Sequence, residues 1–133
     1  MFKLHPQLDK DCDLIIDLPL CSVLLMNDSQ YPWLILVPRV DNIREIIELS
    51  PEQQQQLWQE SANVSHALQD LVNPDKLNIA ALGNMVPQLH IHHIARFKSD
   101  NAWPAPVWGV KAALPYDEAK KAELIESIKQ RLK

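Results

Sequence analysis

Three of the chain's five histidines lie within residues 88–96, in the run Gln-Leu-His-Ile-His-His-Ile-Ala-Arg. The apolar residues between them give the two-residue period of a β-strand, in which alternate side chains share a face. Gln88, His90 and His92 are therefore predicted to point one way, and His93 the other. Neighbouring side chains on one face of a strand lie roughly 6.5 Å apart. Because burying such a polar track without a purpose is costly, we expect the functional site here.

Two imidazoles on one face suit two kinds of chemistry. His90 and His92 could supply two nitrogen ligands to zinc, but zinc needs a third, and the strand contains no cysteine or acid. Alternatively, one neutral imidazole can attack a phosphate ester while its neighbour handles a proton. A third interpretation, a half-buried polar seam without chemistry, leaves the two same-face histidines unexplained. The pattern favours nucleophilic chemistry and predicts no metal ion.

Length and composition exclude several classes of protein. The 133 residues fit one domain, residues 1–133, with 47% hydrophobic and 23% charged residues. A net charge of −4 argues against a nucleic-acid-binding surface. No apolar run approaches the ~20 residues of a membrane span, and the first residues lack the pattern of a secretory signal. Cys12 and Cys21 are too few for a disulfide framework, so we expect two core cysteines in a reduced, cytoplasmic protein.

Four strands are predicted from the sequence pattern, in two hairpins. Residues 20–26 and 33–37 are apolar runs joined by a polar turn, which is typical of strands buried on both faces. Residues 76–82 and the histidine run 88–96 form the second pair, with a Gly-Asn turn after the first strand.

Two helices are predicted. The first begins after Ser50, a helix cap followed by proline, and ends at Asn73. The second is amphipathic and lies within residues 116–133. Residues 7–13 suggest a short helical turn or loop, which residues 14–18 could extend until a proline interrupts the pattern. The order strand, strand, helix, strand, strand, helix predicts an α+β domain.

The histidine run resembles the signature of the histidine triad (HIT) family, His-φ-His-φ-His-φ-φ, where φ is apolar. Other segments look like the family's sequence around this signature. They are Tyr31–Arg39, similar to a family strand that ends in proline and a basic residue; Leu77-Asn78 with Gly83-Asn84; and Trp103-Pro104. The resemblance covers about residues 20–110, and residues 111–133 would add the C-terminal helix.

The resemblance implies a five-stranded antiparallel sheet with two main helices, usually in a homodimer. It implies a nucleotide-binding enzyme that hydrolyses or transfers nucleotidyl groups at the α-phosphate. Dinucleoside polyphosphates and nucleoside phosphoramidates are the expected substrates. No tightly bound cofactor is implied, although a divalent cation could accompany the nucleotide. The alternative is a catalytically weak module that binds a purine nucleotide.

The resemblance also implies roles for particular residues. His90 matches the nucleophile, which would form a nucleotidyl-histidine that water then hydrolyses. His92 would donate a hydrogen bond to phosphate oxygens or help protonate the leaving group. Asn84 takes the place of a glutamine that contacts phosphate or leaving group, and Asn78 matches an asparagine near the site. The ribose hydroxyls would contact an acid or amide in the first hairpin turn. That turn offers Asn27 and Asp28.

Four departures from the family pattern bear on function. Gln88 replaces the first histidine; an amide can still bind substrate by hydrogen bonds but cannot titrate, so we expect altered substrate choice. Trp33 stands where many members have histidine, which removes a possible proton carrier. Met85 replaces a small hydroxylated residue near phosphate. His93 fills a normally apolar position, and we expect it to pack under the sheet with one hydrogen-bond partner.

Two tryptophans after the histidine strand remain to be assigned. Trp103 and Trp108 could cover the site or contact a partner subunit, but plain packing is the favoured interpretation.

Overall fold

A computed structural model describes all residues, 1–133. The chain forms five strands and three α-helices, with a short 3₁₀ turn at Ile46–Glu48. In chain order the elements are α1 (Pro6–Asp11), β1 (Cys12–Asp17), β2 (Cys21–Met26), β3 (Trp33–Pro38), α2 (Pro51–Val72), β4 (Lys76–Ala80), β5 (Ile91–Arg96) and α3 (Glu118–Leu132). None of the helices combines the length and the apolar character needed to span a membrane.

The five strands form one antiparallel sheet in the order β1-β2-β3-β5-β4. The α+β class and the five-stranded sheet with two main helices are thereby confirmed. Strand β5, which carries His92, lies between β3 and β4, so His92 is paired with Ile35 on one side and Ala80 on the other. This central position holds the histidine strand by hydrogen bonds along both edges.

Strand β1 is the element that the sequence pattern missed. The sequence allowed residues 14–18 to extend a short helical turn or loop, but α1 ends at Asp11 and the chain then runs extended to Asp17. The pairing with β2 is irregular between Leu14 and Ile16, so the strand lacks a clean alternation of apolar and polar residues. That irregularity explains why the two-residue period is not visible in the sequence.

Helix α2 begins as its sequence predicts. The Ser50 hydroxyl accepts a hydrogen bond from the Gln53 backbone N–H, and the Gln53 side chain accepts one from the Ser50 N–H. Asn73 ends the helix in the left-handed conformation, with φ of 47°. The buried face, which includes Leu57, Val64 and Leu68, joins one face of the sheet in the larger hydrophobic core.

Glu60 is a buried carboxylate on α2 that sequence reasoning did not single out. Its two oxygens accept hydrogen bonds from the backbone N–H groups of Leu20 and Cys21, each 2.8 Å long, and the Gln56 amide donates a third. This arrangement anchors the helix to the first residues of β2. Burial, followed by the charge of Glu60, raises the pKa of the Cys21 thiol far above its usual range, so Cys21 stays protonated. The predicted core role of Cys21 agrees with this environment.

The opposite face of the sheet carries a second hydrophobic cluster and the histidine pair. Helix α1 and the long connection between β5 and α3 cover this face. The cluster consists of Leu8, Leu24, Tyr31, Trp33, Ile35, Val37, Ile94, Ala102 and Val107.

Candidate functional site

His90 and His92 lie side by side on the face of the sheet opposite α2. Their ring centroids are 5.0 Å apart and the ring planes make an angle of 72°. Strand β5 begins only at Ile91, so His90 sits just before the regular ladder. The Gln88 amide donates to the Lys3 carbonyl and accepts from the His5 N–H, which turns it toward the N-terminal segment. His90 and His92 therefore share one face, as the sequence pattern predicts, whereas the Gln88 side chain points away from it.

In its neutral form, His90 presents a nitrogen without a proton to the site. Its Nδ1 lies 2.7 Å from the backbone carbonyl oxygen of Gln88. A carbonyl oxygen can only accept a hydrogen bond, so Nδ1 carries the proton and the neutral ring keeps a lone pair on Nε2. No protein group bonds this Nε2. The side chain is only 7% exposed, which limits the solvation of that lone pair.

His92 has the opposite tautomer. Its Nδ1 lies 3.0 Å from the indole Nε1 of Trp33. An indole nitrogen can only donate, so Nδ1 accepts and the ring proton is on Nε2. Burial, together with the charges of His90 and His93, lowers the pKa of His92 to about 3. The two neutral tautomers thus place a lone pair on one ring and an N–H donor on the next.

A cavity of about 310 Å³ opens beside the two histidines. Apolar side chains form most of its wall, which suits a flat apolar group of a ligand. They include Met26, Ile35, Leu82, Val86 and Trp108. A larger depression of about 870 Å³ lies between the ends of α2 and α3, but its lining contains neither His90 nor His92. The smaller cavity is the one that chemistry at the histidines can use.

The two tryptophans of the long connection have different positions. Trp108 lines the cavity, and its ring centroid is 5.0 Å from that of His92. Trp103 packs instead against the buried guanidinium of Arg96, which lies 5.7 Å from its ring centroid. Plain packing therefore describes Trp103, whereas Trp108 covers part of the site.

Of the residues predicted to bind substrate, Asn84 is the one that lines this cavity with the histidines. The Asn78 side chain accepts a hydrogen bond from Arg96. Asn27 accepts from the Tyr116 N–H, and buried Asp28 accepts from the Leu114 N–H, so both hold the connection that leads to α3. Substrate contacts of these residues, and of Gln88, stay predictions.

Sequence reasoning missed the contribution of α1 and β1 to the cavity. Gln7, Asp11 and Cys12 line it, and Asp11 is the only carboxylate among the lining residues. The Gln7 amide donates to one Asp11 oxygen at 2.8 Å. Cys12 reaches the site because β1 pairs with β2, which puts it opposite Met26, and α1 directly precedes β1. No local motif marks them.

His93 lies on the other face of the sheet, under α2, and is fully buried. Its Nε2 is 2.7 Å from the Ser61 hydroxyl, and its Nδ1 is 3.1 Å from the Ile91 carbonyl oxygen. The carbonyl requires the proton on Nδ1, so the Ser61 hydroxyl donates to Nε2. The expected position under the sheet is confirmed, although the ring has two partners rather than one. Burial lowers the pKa of His93 to about 4.

Both buried histidines should make stability depend on pH. The unfolded chain takes up a proton at each ring below about pH 6.5, whereas the folded pKa values are about 3 for His92 and about 4 for His93. Stability should therefore fall as the pH drops from 6.5 toward 4, by up to about 1.4 kcal/mol per pH unit for each ring. Urea denaturation between pH 7.5 and 4.5 measures this slope. His93→Gln should lose about half of it, and an unchanged slope would contradict this assignment.

The structure brings together no group of three or more His, Cys, Asp or Glu side chains that could hold a metal ion.

Comparisons with known proteins agree on one family. The HIT domain profile matches residues 7–99, so it includes α1 and β1 as well as the histidine strand. A histidine triad protein from Marinobacter aquaeolei VT8 is 52% identical, with a TM-score of 0.96 over 99% of this chain and 96% of that chain. One from Bradyrhizobium japonicum is 48% identical, with a TM-score of 0.97 over 99% and 98%. One from Sinorhizobium meliloti 1021 is 43% identical, with a TM-score of 0.96 over 98% and 97%. No curated protein matches the sequence.

Proposed function

Because this chain belongs to the HIT domain family, we propose that it is a nucleotide-binding enzyme that hydrolyses or transfers nucleotidyl groups at the α-phosphate. One observation carries the proposal. Two adjacent imidazoles have opposite tautomers, fixed by the Gln88 carbonyl and the Trp33 indole, and both free Nε2 atoms belong to rings that line one cavity. The pair combines a nucleophile with a hydrogen-bond donor.

In the proposed reaction, His90 acts as the nucleophile. Its Nε2 lone pair forms a bond to the α-phosphorus, and the bond from phosphorus to the leaving group breaks with its electron pair. The ring becomes cationic as this happens, and the Gln88 carbonyl stabilises the proton that remains on Nδ1. Water then attacks phosphorus and releases a proton to solvent, while the electron pair of the P–N bond returns to Nε2 and the nucleoside monophosphate leaves.

His92 and Asn84 would bind the transferred phosphate. The Nε2–H of His92 donates to an oxygen on which charge accumulates in the transition state. Asn84 lines the same cavity as the two histidines, which supports a contact with phosphate or leaving group. The apolar wall would hold the nucleobase, and a divalent cation would arrive with the nucleotide rather than reside in the protein. The reaction would take place in the cytoplasm.

Trapping the covalent intermediate tests the proposal. The protein is mixed for milliseconds with a dinucleoside polyphosphate or a nucleoside phosphoramidate, quenched in alkali, and digested for mass mapping. We expect one nucleotidyl group on the peptide that contains residues 88–96, and none with His90→Ala. Tight nucleotide binding without adduct or product on either substrate would favour the alternative, a purine-nucleotide-binding module.

A homodimer is also part of the proposal. Strand β4 is an edge of the sheet, and edge strands expose unpaired backbone groups that a second strand can bind. Apolar side chains on and after β4 are exposed, with Ile79 at 46% and Met85 at 92%. Such an edge supports pairing of two copies through β4.

Light scattering with a charge substitution at the edge checks the dimer. At micromolar concentration we expect the native chain to be a dimer and Ile79→Glu to be a folded monomer, because a charge would be buried unpaired in the interface. Leu14→Glu makes the same change on β1, at the other edge of the sheet, where the side chain is 56% exposed. It should remain dimeric. A monomeric native chain, or a dimer that only Leu14→Glu disrupts, would rule out the β4 interface.

A further inference from the structure

The Trp33 indole is hydrogen-bonded to a histidine of the site rather than to backbone or solvent. Its Nε1 donates to Nδ1 of His92 at 3.0 Å, and both side chains are buried. Tyr31 packs against one part of the Trp33 ring and Trp108 against another, both edge-on. The donor is therefore held in place by its packing as well as by the bond itself.

This bond limits what His92 can do with a proton. A neutral imidazole that gave up its Nε2–H would become an imidazolate, which is far too basic to form near neutral pH. To act as a general acid, His92 would first have to be an imidazolium, with a second proton on Nδ1. That position already faces the indole N–H, so two N–H groups would point at each other.

None of the groups packed around His92 would stabilise a positive charge on its ring. From β3 it meets Trp33 and Ile35, from β4 Ala80, and from the long connection Trp108, none of which titrates. The titratable neighbours are His90 on the same face and His93 on the other, and a positive charge on either would oppose one on His92. No carboxylate bonds the ring.

We propose that Trp33 is a positioning residue that keeps His92 a fixed N–H donor and thereby selects substrates whose leaving group departs as an anion. This inference rests on the proposed nucleotidyl transfer. When the bond from the α-phosphorus to a bridging oxygen breaks, a phosphate leaving group keeps the electron pair and needs no proton. An amine leaving group must take up a proton as the P–N bond breaks, and His92 cannot supply it. The substrate class is therefore the phosphoric anhydride, such as a dinucleoside polyphosphate, rather than the phosphoramidate.

The state of His92 can be measured without substrate. In ¹⁵N NMR of the intact protein at neutral pH, we expect His92 to show a protonated Nε2 and a bare Nδ1. Trp33→Phe removes the donor and keeps an aromatic ring, so the fixed tautomer should be lost. Trp108→Phe removes an indole N–H from a ring that touches His92 without bonding it, so the native tautomer should remain. A native pattern in Trp33→Phe would overturn the positioning role.

Leaving-group selection is measured as the ratio of kcat/KM for a dinucleoside polyphosphate to that for a nucleoside phosphoramidate with the same base. A general acid contributes about 100-fold or more where a leaving group needs one, so the native ratio should exceed about 100. Trp33→Phe should lower it at least about tenfold, because the loss of the opposing indole N–H makes a proton on Nδ1 of His92 less costly, whereas Trp108→Phe should not. A native ratio near one, or a ratio unmoved by Trp33→Phe, would overturn the selection. If the native protein turns over neither substrate, both the proposed function and the proposed selection of leaving groups are wrong. The NMR experiment still decides whether Trp33 fixes the tautomer of His92.

Discussion

His90→Ala should lower the turnover of a nucleotide substrate by at least about three orders of magnitude, because removing a nucleophile removes the covalent route entirely. Nucleotide binding should change much less, since the apolar wall of the cavity remains. The expected signature is a loss in kcat with KM almost unchanged. Steady-state kinetics with the native protein and the variant, and calorimetric binding of a nucleoside monophosphate, measure both quantities.

Two further histidine variants separate the loss of the nucleophile from other effects of replacing a histidine. His92→Ala removes a donor to the phosphate rather than the nucleophile, so its expected loss in kcat is smaller, about 100-fold. His66 is exposed on α2, away from the cavity, and His66→Ala should keep native kinetics. If His90→Ala retained more than a tenth of the native kcat, His90 would not be the nucleophile. Equal losses in the variants of His90 and His92 would show that the two rings act as one unit.

The relative positions of His90 and His92 are predictable because the sequence pattern that determines them lies within a few neighbouring residues. Alternation over five residues places His90 and His92 on one face of any strand. The position of Gln88 is not local, because its amide partners are Lys3 and His5, more than 80 residues earlier in the chain. A sequence pattern extends the strand to Gln88, whereas the hydrogen-bonded ladder begins at Ile91.

The remainder of the site depends on how distant segments pair. Asp11 and Cys12 reach the cavity only because β1 joins β2, and the irregularity in β1 hides that strand from its own sequence. Trp33 was expected to remove a proton carrier from the site. Trp33 also donates a hydrogen bond that sets the tautomer of His92, and this bond follows from the antiparallel register that places Trp33 opposite Ile94.

Arg96→Leu should reduce the free energy of unfolding by about 3–5 kcal/mol. The guanidinium is buried and makes two bonds to Asp100, of 2.8 and 3.1 Å, with further bonds to the Asn78 side chain and the Ala105 carbonyl. Leucine has similar bulk near the backbone but no donors. The buried Asp100 carboxylate would lose its charged partner, and the two other acceptors would lose their hydrogen bonds.

Urea denaturation of single and double variants measures this loss. Asp100 and Arg96 replaced together should cost less than the sum of the two single changes, because neither charge is then left buried alone. Arg131→Leu is the matched control: Arg131 pairs with Asp70 at 3.1 Å, but both side chains are substantially exposed, so the loss should stay below about 1 kcal/mol. A loss in Arg96→Leu no larger than in Arg131→Leu would show that the buried pair does not hold this part of the fold.

The ion pair between Arg96 and Asp100 also holds the segment that leads to the functional site. Burial alone would raise the pKa of the Asp100 carboxyl, but hydrogen bonds from Arg96 and from the N–H groups of Phe97 and Trp103 lower it to about 2. A carboxylate with a depressed folded pKa stabilises the protein above its unfolded pKa, near 3.8, and this contribution is lost as the pH falls toward 2. Those bonds fix the start of the connection that carries Trp108 over His92. Arg96→Leu should therefore also weaken the contact between Trp108 and His92, which NMR of the ring–ring contacts in the folded variant measures.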